Sequence, residues 1–172
     1  MAGVEGRVAL ITGGGRGIGR ATAELLASRG ARVMCVARSQ QELEAVGLDY
    51  SVADLGSPGG CADAVGETEQ RLGPIEILVC NHGIGSAHER LIWEQEPDVW
   101  DETMRINLDG PFHLSRLVLP AMIKGQYGRL VYISSTAGLV AEHAGSAYTS
   151  SKHGLLGLMR SVARDAGAYG IT

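Results

Sequence analysis

Short apolar runs alternate along this chain with longer stretches in which apolar residues recur every three or four positions. Runs at residues 8–11, 32–36, 50–53, 75–80 and 129–133 have the length of strands. The 75–80 run carries no polar residue after Glu76, which predicts a strand buried on both faces of its sheet. Between the runs, the helical period predicts helices over 18–29, 41–46, 60–72, 98–124 and 145–168. Ala21, Leu25 and Leu26 share a face of the first helix, and Leu155, Leu158, Met159 and Val162 a face of the last. Over 98–124 the period turns Met104, Leu108, Phe112 and Leu114 or Ser115 inward, and Pro111 and Pro120 are expected to kink the helix. Strand–helix alternation of this kind predicts an α/β fold, a doubly wound parallel sheet flanked by helices. A chain of 172 residues suits one domain. Gly170-Ile171-Thr172 reads as the opening of a sixth strand. The expectation is one domain over 1–172 whose C-terminal strands are missing from this chain, with little turnover from the 172-residue piece alone.

Composition narrows the partners. The net charge is −4, and no basic stripe is available to track a phosphate backbone, so nucleic acid is excluded. Cys35, Cys61 and Cys80 form no CxxC pair, and two of them lie inside apolar runs, as free thiols of a cytoplasmic protein do. The apolar run near the N-terminus is too short for a signal peptide or a membrane span. The five histidines and three cysteines show no metal-ligand spacing.

The first strand leads into Thr12-Gly13-Gly14-Gly15-Arg16-Gly17-Ile18-Gly19, which opens the first helix. Glycines at such a turn let the backbone approach a pyrophosphate, and the helix N-terminus offers N–H groups and the positive end of its dipole. At the end of the second strand, a nicotinamide-binding fold meets the adenosine ribose. An acid there selects NAD(H), and an arginine accommodates a 2′-phosphate. Here Ala37 occupies the acidic position and Arg38 follows, with Arg16 able to reach the same place. The pattern favours NADP(H), with NAD(H) as the alternative.

Tyr148 and Lys152 are four residues apart at the start of the last helix, so both side chains reach one pocket. An ammonium beside a phenol favours the phenolate, which suits the pair to general acid–base work. Ser135 ends the fifth strand at the carboxyl edge, where ligands bind in open α/β sheets.

The glycine spacing at Gly13, Gly17 and Gly19 resembles the short-chain dehydrogenase/reductase family, and the other motifs follow in that family's order. Ser135 stands thirteen residues before Tyr148. Arg105-Ile106-Asn107-Leu108 is similar to the family's catalytic-asparagine segment, and Cys80-Asn81-His82-Gly83 to its Asn-Asn-Ala-Gly loop. In that loop Cys80 replaces an asparagine and His82 an alanine, so its hydrogen bonds are expected to differ; His82 is read as structural. The resemblance implies a Rossmann fold and a Ser135, Tyr148, Lys152 and Asn107 catalytic set. It assigns Gly13, Gly15, Arg16, Gly17, Ile18, Gly19, Arg38, Asp54, Asn81 and Gly83 to the cofactor, with Tyr148 and Lys152 shared. Asp54 would contact the adenine amino group, although an aspartate before Leu55-Gly56-Ser57-Pro58 also suits a turn. Residues 128–135 with Tyr148-Thr-Ser-Ser-Lys152 look most like the 3-oxoacyl-[acyl-carrier-protein] reductase branch. That branch implies NADPH-dependent reduction of a ketone, carrier-linked in some members, by a cytoplasmic homodimer or homotetramer. The alternatives are an alcohol, sugar or steroid dehydrogenase with the same machinery, and a non-catalytic NADP-binding sensor.

Overall fold

In the computed structural model, which describes residues 3–85, 87 and 90–172, the five apolar runs form five parallel strands. They are β1 (Val8–Thr12), β2 (Arg32–Ala37), β3 (Asp49–Val52), β4 (Ile77–Cys80) and β5 (Arg129–Tyr132), in the order β3-β2-β1-β4-β5. Every residue of the central β1 is buried. Val8 and Leu10 join Met34, Val36, Leu78 and Cys80 in one core, while Ala9 and Ile11 join Val33, Cys35, Ile77 and Val79 in the other. Side chains alternate across a strand, so two buried faces need an unbroken apolar run.

Helices α1 (Gly17–Ser28) and α2 (Gln40–Glu44) cover the second core with Ala23 and Leu43. Helices α3 (Pro58–Leu72) and α5 (Gly110–Gly125) cover the first. Leu114, Val118 and Met122 lie on one stripe of α5 and are almost wholly buried. Burying three such side chains contributes roughly 5–9 kcal/mol, which offsets the cost of about 3 kcal/mol for Pro120 inside the helix. α6 (Ser146–Ala166) packs on α4 (Pro97–Met104) and on a 3-10 turn, Thr136–Gly138, that follows β5.

The expected single helix over 98–124 is two helices. A π-helical turn, Arg105–Asp109, joins α4 to α5. Its extra residue moves the inward face onto Ile106 and Asn107, leaves Met104 and Leu108 partly covered, and turns Phe112 outward at 47% exposure. The irregularity therefore comes from the π turn and not from proline kinks. Pro111 sits in the first turn of α5, where a missing N–H breaks no helical hydrogen bond.

Ile171 bridges Gly128 in parallel on the outer side of β5; the Thr172 N–H donates to the Gly128 carbonyl at 3.0 Å and the Leu130 N–H to the Thr172 carbonyl at 2.9 Å. The chain winds outward from β1 through β2 to β3, then from β4 to β5 on the opposite side. The loops after β1 and β4 thus part at the carboxyl edge and open a crevice between them.

Candidate active site

The floor of that crevice is glycine because nothing larger fits. A Cβ on Gly19 would collide with the Gly13 carbonyl oxygen, and one on Gly13, whose φ is 62°, would lie 2.9 Å from Asn81 Nδ2. The two loops are tied by Thr12 and Asn81. The Thr12 hydroxyl donates to the Val79 carbonyl at 3.0 Å and accepts the Asn81 and His82 N–H groups at 2.8 and 3.1 Å. Asn81 Nδ2 donates to the Thr12 and Gly13 carbonyls at 3.0 and 3.3 Å. The first turn of α1 carries no acid, and Arg16 before it makes no side-chain cap, so its N–H groups stay open to an anion.

The groove has a volume of about 570 Å³, within the range of small-molecule sites. Gly13, Gly15, Gly17 and Ile18 line one wall, and Asn81 and Gly83 the facing one. Arg16, whose guanidinium lies 3.4 Å from Glu42, and Arg38 line the groove on the side of α2. Asp54 also lines the groove, and it forms a turn as well: Oδ1 accepts the Gly56 N–H at 3.1 Å, and Oδ2 accepts from Arg105 at 2.9 Å. Burial works to raise the Asp54 pKa, but the Arg105 and Gly56 hydrogen bonds, with the charges of Arg105 and Arg38, outweigh it and hold the carboxyl below its usual range.

Beyond Gly83 lies a more deeply buried corner. Lys152 is 6% exposed, and its Nζ donates to the Ile133 carbonyl at 2.9 Å and lies 5.7 Å from the centre of the Tyr148 ring. Burial lowers the Lys152 pKa. Asn107 is held from three sides. Its Oδ1 accepts the Ile84 N–H at 2.9 Å, and Nδ2 donates to the Ile84 carbonyl at 2.9 Å and to Ser151 Oγ at 3.1 Å. Ser151 Oγ in turn donates to the Tyr148 carbonyl at 2.8 Å. A Cβ on Gly83 would lie 3.1 Å from Asn107 Oδ1 and 3.7 Å from Lys152 Nζ, so glycine brings the β4 loop, the π turn and α6 together. Ser135 caps the 3-10 turn against α6, its Oγ accepting the Ala137 N–H at 3.2 Å.

His82 is a half-buried prop. Its Nδ1 is 2.7 Å from Thr12 Oγ1, and Nε2 is buried without a hydrogen-bond partner, in a space that exists because residue 110 is glycine. Burial first, then the charge of Lys152, pushes its pKa down to about 4, so the ring is neutral near pH 7. Cys35, Cys61 and Cys80 are free and buried, with thiol pKa values raised by burial. Among the described residues, no group of three His, Cys, Asp or Glu could hold a metal; His88 lies outside them. Also among them, no helix is long and apolar enough to cross a membrane.

The roles of Thr12, Ser151 and Arg105 are not visible in the sequence. Each acts through a partner 44–70 residues away, and no local spacing signals such pairs.

A glycine-floored groove with a buried lysine and a half-buried tyrosine behind its Gly83 wall defines a class. The chain belongs to the short chain dehydrogenase family, NAD(P)-dependent oxidoreductases, whose family model matches residues 7–172. Among individual relatives, it is 35% identical to the 3-oxoacyl-[acyl-carrier-protein] reductase FabG of Escherichia coli (strain K12), over 98% of this chain and 70% of that protein. It is 33% identical to the D-beta-hydroxybutyrate dehydrogenase of Cupriavidus necator, over 98% and 68%. The crystal structure of a metagenomic short-chain oxidoreductase in complex with NADP superposes with a TM-score of 0.92 at 35% identity, over 99% of this chain and 80% of that one.

Proposed function

We propose that the protein is an NADPH-dependent reductase that converts a ketone of the 3-oxoacyl type to a secondary alcohol. The carrying observation is that Lys152 Nζ, fixed on the Ile133 carbonyl beside the Tyr148 ring, lies close behind Gly83 in the wall of the glycine-floored groove. The groove fits a dinucleotide on three counts: its glycine floor admits a pyrophosphate, the start of α1 is free of acids, and Arg16 and Arg38 supply charge for a 2′-phosphate. Asn81 and Gly83 would shape the wall beside the riboses, and Asp54 would face the adenine.

Bound NADPH supplies the hydride. Ser135 donates a hydrogen bond to the substrate carbonyl and polarises it. Tyr148 donates a proton to the developing alkoxide. Lys152 stabilises the tyrosinate left behind and binds the nicotinamide ribose. Asn107 holds the β4 loop and Ser151 in place and stands beside Lys152 in the route by which its proton is replaced. In the oxidising direction the tyrosinate is the base. Exposed Ile92, Trp93, Leu139 and Val140 on the loops after β4 and β5 give an acyl chain apolar surface at the carboxyl edge.

NADPH consumption with 3-oxoacyl thioesters, simple ketones and sugars tests this reading, alongside NAD⁺ reduction with D-beta-hydroxybutyrate. The 3-oxoacyl thioesters are expected to give the highest kcat/KM. A better simple ketone or sugar overturns the substrate class, and NADPH binding with no turnover of any substrate, in a chain extended to the length of its relatives, favours the sensor alternative. We also place the protein in the cytoplasm, where its three free thiols stay reduced. Exposed Trp100 on α4 and Phe112 on α5 support a homodimer or homotetramer built on these helices and α6. Sedimentation showing only monomer at micromolar concentration would reject that assembly.

A further inference from the structure

The Arg16–Arg38 end of the groove holds a carboxylate that the mechanism above does not use. Ser39-Gln40-Gln41-Glu42 has the spacing of a capping box, in which the acid folds back onto the N-cap N–H while the serine caps the helix. Half of that box forms: Ser39 Oγ accepts the Glu42 N–H at 3.4 Å. The Glu42 carboxylate turns away from it to Arg16, with Oε1 3.4 Å from Nη1. Gly15 makes the room, since a Cβ there would lie 2.9 Å from Glu42 Cβ and 3.5 Å from Oε2. Glu42 lines the same groove as Arg16 and Arg38.

We propose that Glu42 sets how strongly this chain discriminates NADPH from NADH, as counter-ion to Arg16 in the free protein and as a charge opposing the 2′-phosphate in the complex. The proposal rests on reading this end as the 2′-phosphate site. Four charged groups near that end decide the balance. Arg16 and Arg38 attract a phosphate, Asp54 is already paired with Arg105, and Glu42 remains to offset one cation. The Arg16–Glu42 pair is exposed, at 83% and 39% of the two side chains, so it is weak and a phosphate can displace it. Its displacement leaves the carboxylate beside a dianion in a wet groove, a repulsion of roughly three- to tenfold in affinity that salt screens. NADH carries no 2′-phosphate and does not meet that repulsion.

The test is the affinity of wild type, Glu42→Gln and Arg38→Ala for NADPH, NADH and 2′-phospho-AMP, by fluorescence quenching or calorimetry at low and moderate salt. Glutamine keeps the side-chain length and serves a capping box as glutamate does, so α2 is retained. Glu42→Gln is expected to tighten NADPH and 2′-phospho-AMP roughly three- to tenfold, to leave NADH within about twofold, and to lose part of that gain as salt rises. A Glu42→Gln variant that leaves NADPH unchanged, while Arg38→Ala weakens it selectively, overturns the role of Glu42 and keeps the phosphate site. An equal change for both cofactors also overturns it, because it marks a structural effect on the loop. If neither variant discriminates between the cofactors, the phosphate end itself is misassigned and the proposal falls with it.

Discussion

At the Arg16–Arg38 end of the groove, charge is carried by exposed side chains on loops and a five-residue helix, with few fixed partners. At the Lys152 end, the ammonium and the Asn107 amide are buried and held by the backbone of Ile133 and Ile84, on the loops after β5 and β4. An exposed arginine can follow its ligand and is screened by water, so each one matters modestly. A buried ammonium or amide is preset, and removing it leaves unpaired groups behind. Cofactor preference should therefore be graded and open to tuning, whereas the chemical corner should fail abruptly.

The sharpest test of the buried end is Tyr148→Phe, which keeps the ring and removes the proton. Turnover should fall at least ~10²-fold, with cofactor affinity unchanged. Near wild-type turnover would remove Tyr148 from the mechanism. Next is Asn107→Leu, which strands the Ile84 N–H and carbonyl in a half-buried place, while Ser151 Oγ keeps its bond to the Tyr148 carbonyl. The loss should be about 3 kcal/mol in urea unfolding, given 1–3 kcal/mol for each unsatisfied group. A cost below about 1 kcal/mol would show that water replaces the amide and that the corner is less closed than its geometry implies.

His82 gives a pH-dependent version of the same contrast. Its pKa is about 4 when folded against 6.5 as the ordinary value, so the unfolded chain binds the proton more tightly. The stability linked to it is complete above pH 6.5 and is lost as pH falls toward 4, on the order of 2 kcal/mol by pH 5. Unfolding midpoints at pH 7 and 5 should move less in His82→Asn than in wild type; equal movement would mean that the ring gains its proton without cost. The smallest effect belongs to the exposed end. Arg38→Ala should cost NADPH about 1.5 kcal/mol, the low end for a charged hydrogen bond, and leave NADH nearly unchanged. An equal loss for both would show that Arg38 reads something other than the phosphate.

What sequence revealed followed the range of the interactions. The glycine loop, the Tyr148–Lys152 spacing and the five strands are local signals, and their places in the crevice follow from the sheet order. Arg105 on Asp54, Thr12 beneath His82 and Ser151 on Asn107 pair residues remote in the chain, so no window of the sequence contains both partners. The π turn escaped for a different reason. A search for a 3.6-residue period assumes one constant period, and the turn interrupts it, so the pattern alone turns Phe112 inward.

That turn also has a consequence for how this protein can change. Each residue of an α-helix advances the chain by about 100°, so the extra residue in Arg105–Asp109 is a phase step between α4 and α5. Deleting one residue there would restore a regular helix and rotate either the Asn107 side chain or the Leu114–Val118–Met122 stripe away from its partners. The amide beside the reacting groups and the apolar stripe against the sheet share one angular setting. Neither can drift by insertion or deletion without the other, so variation in this helix is confined to substitutions.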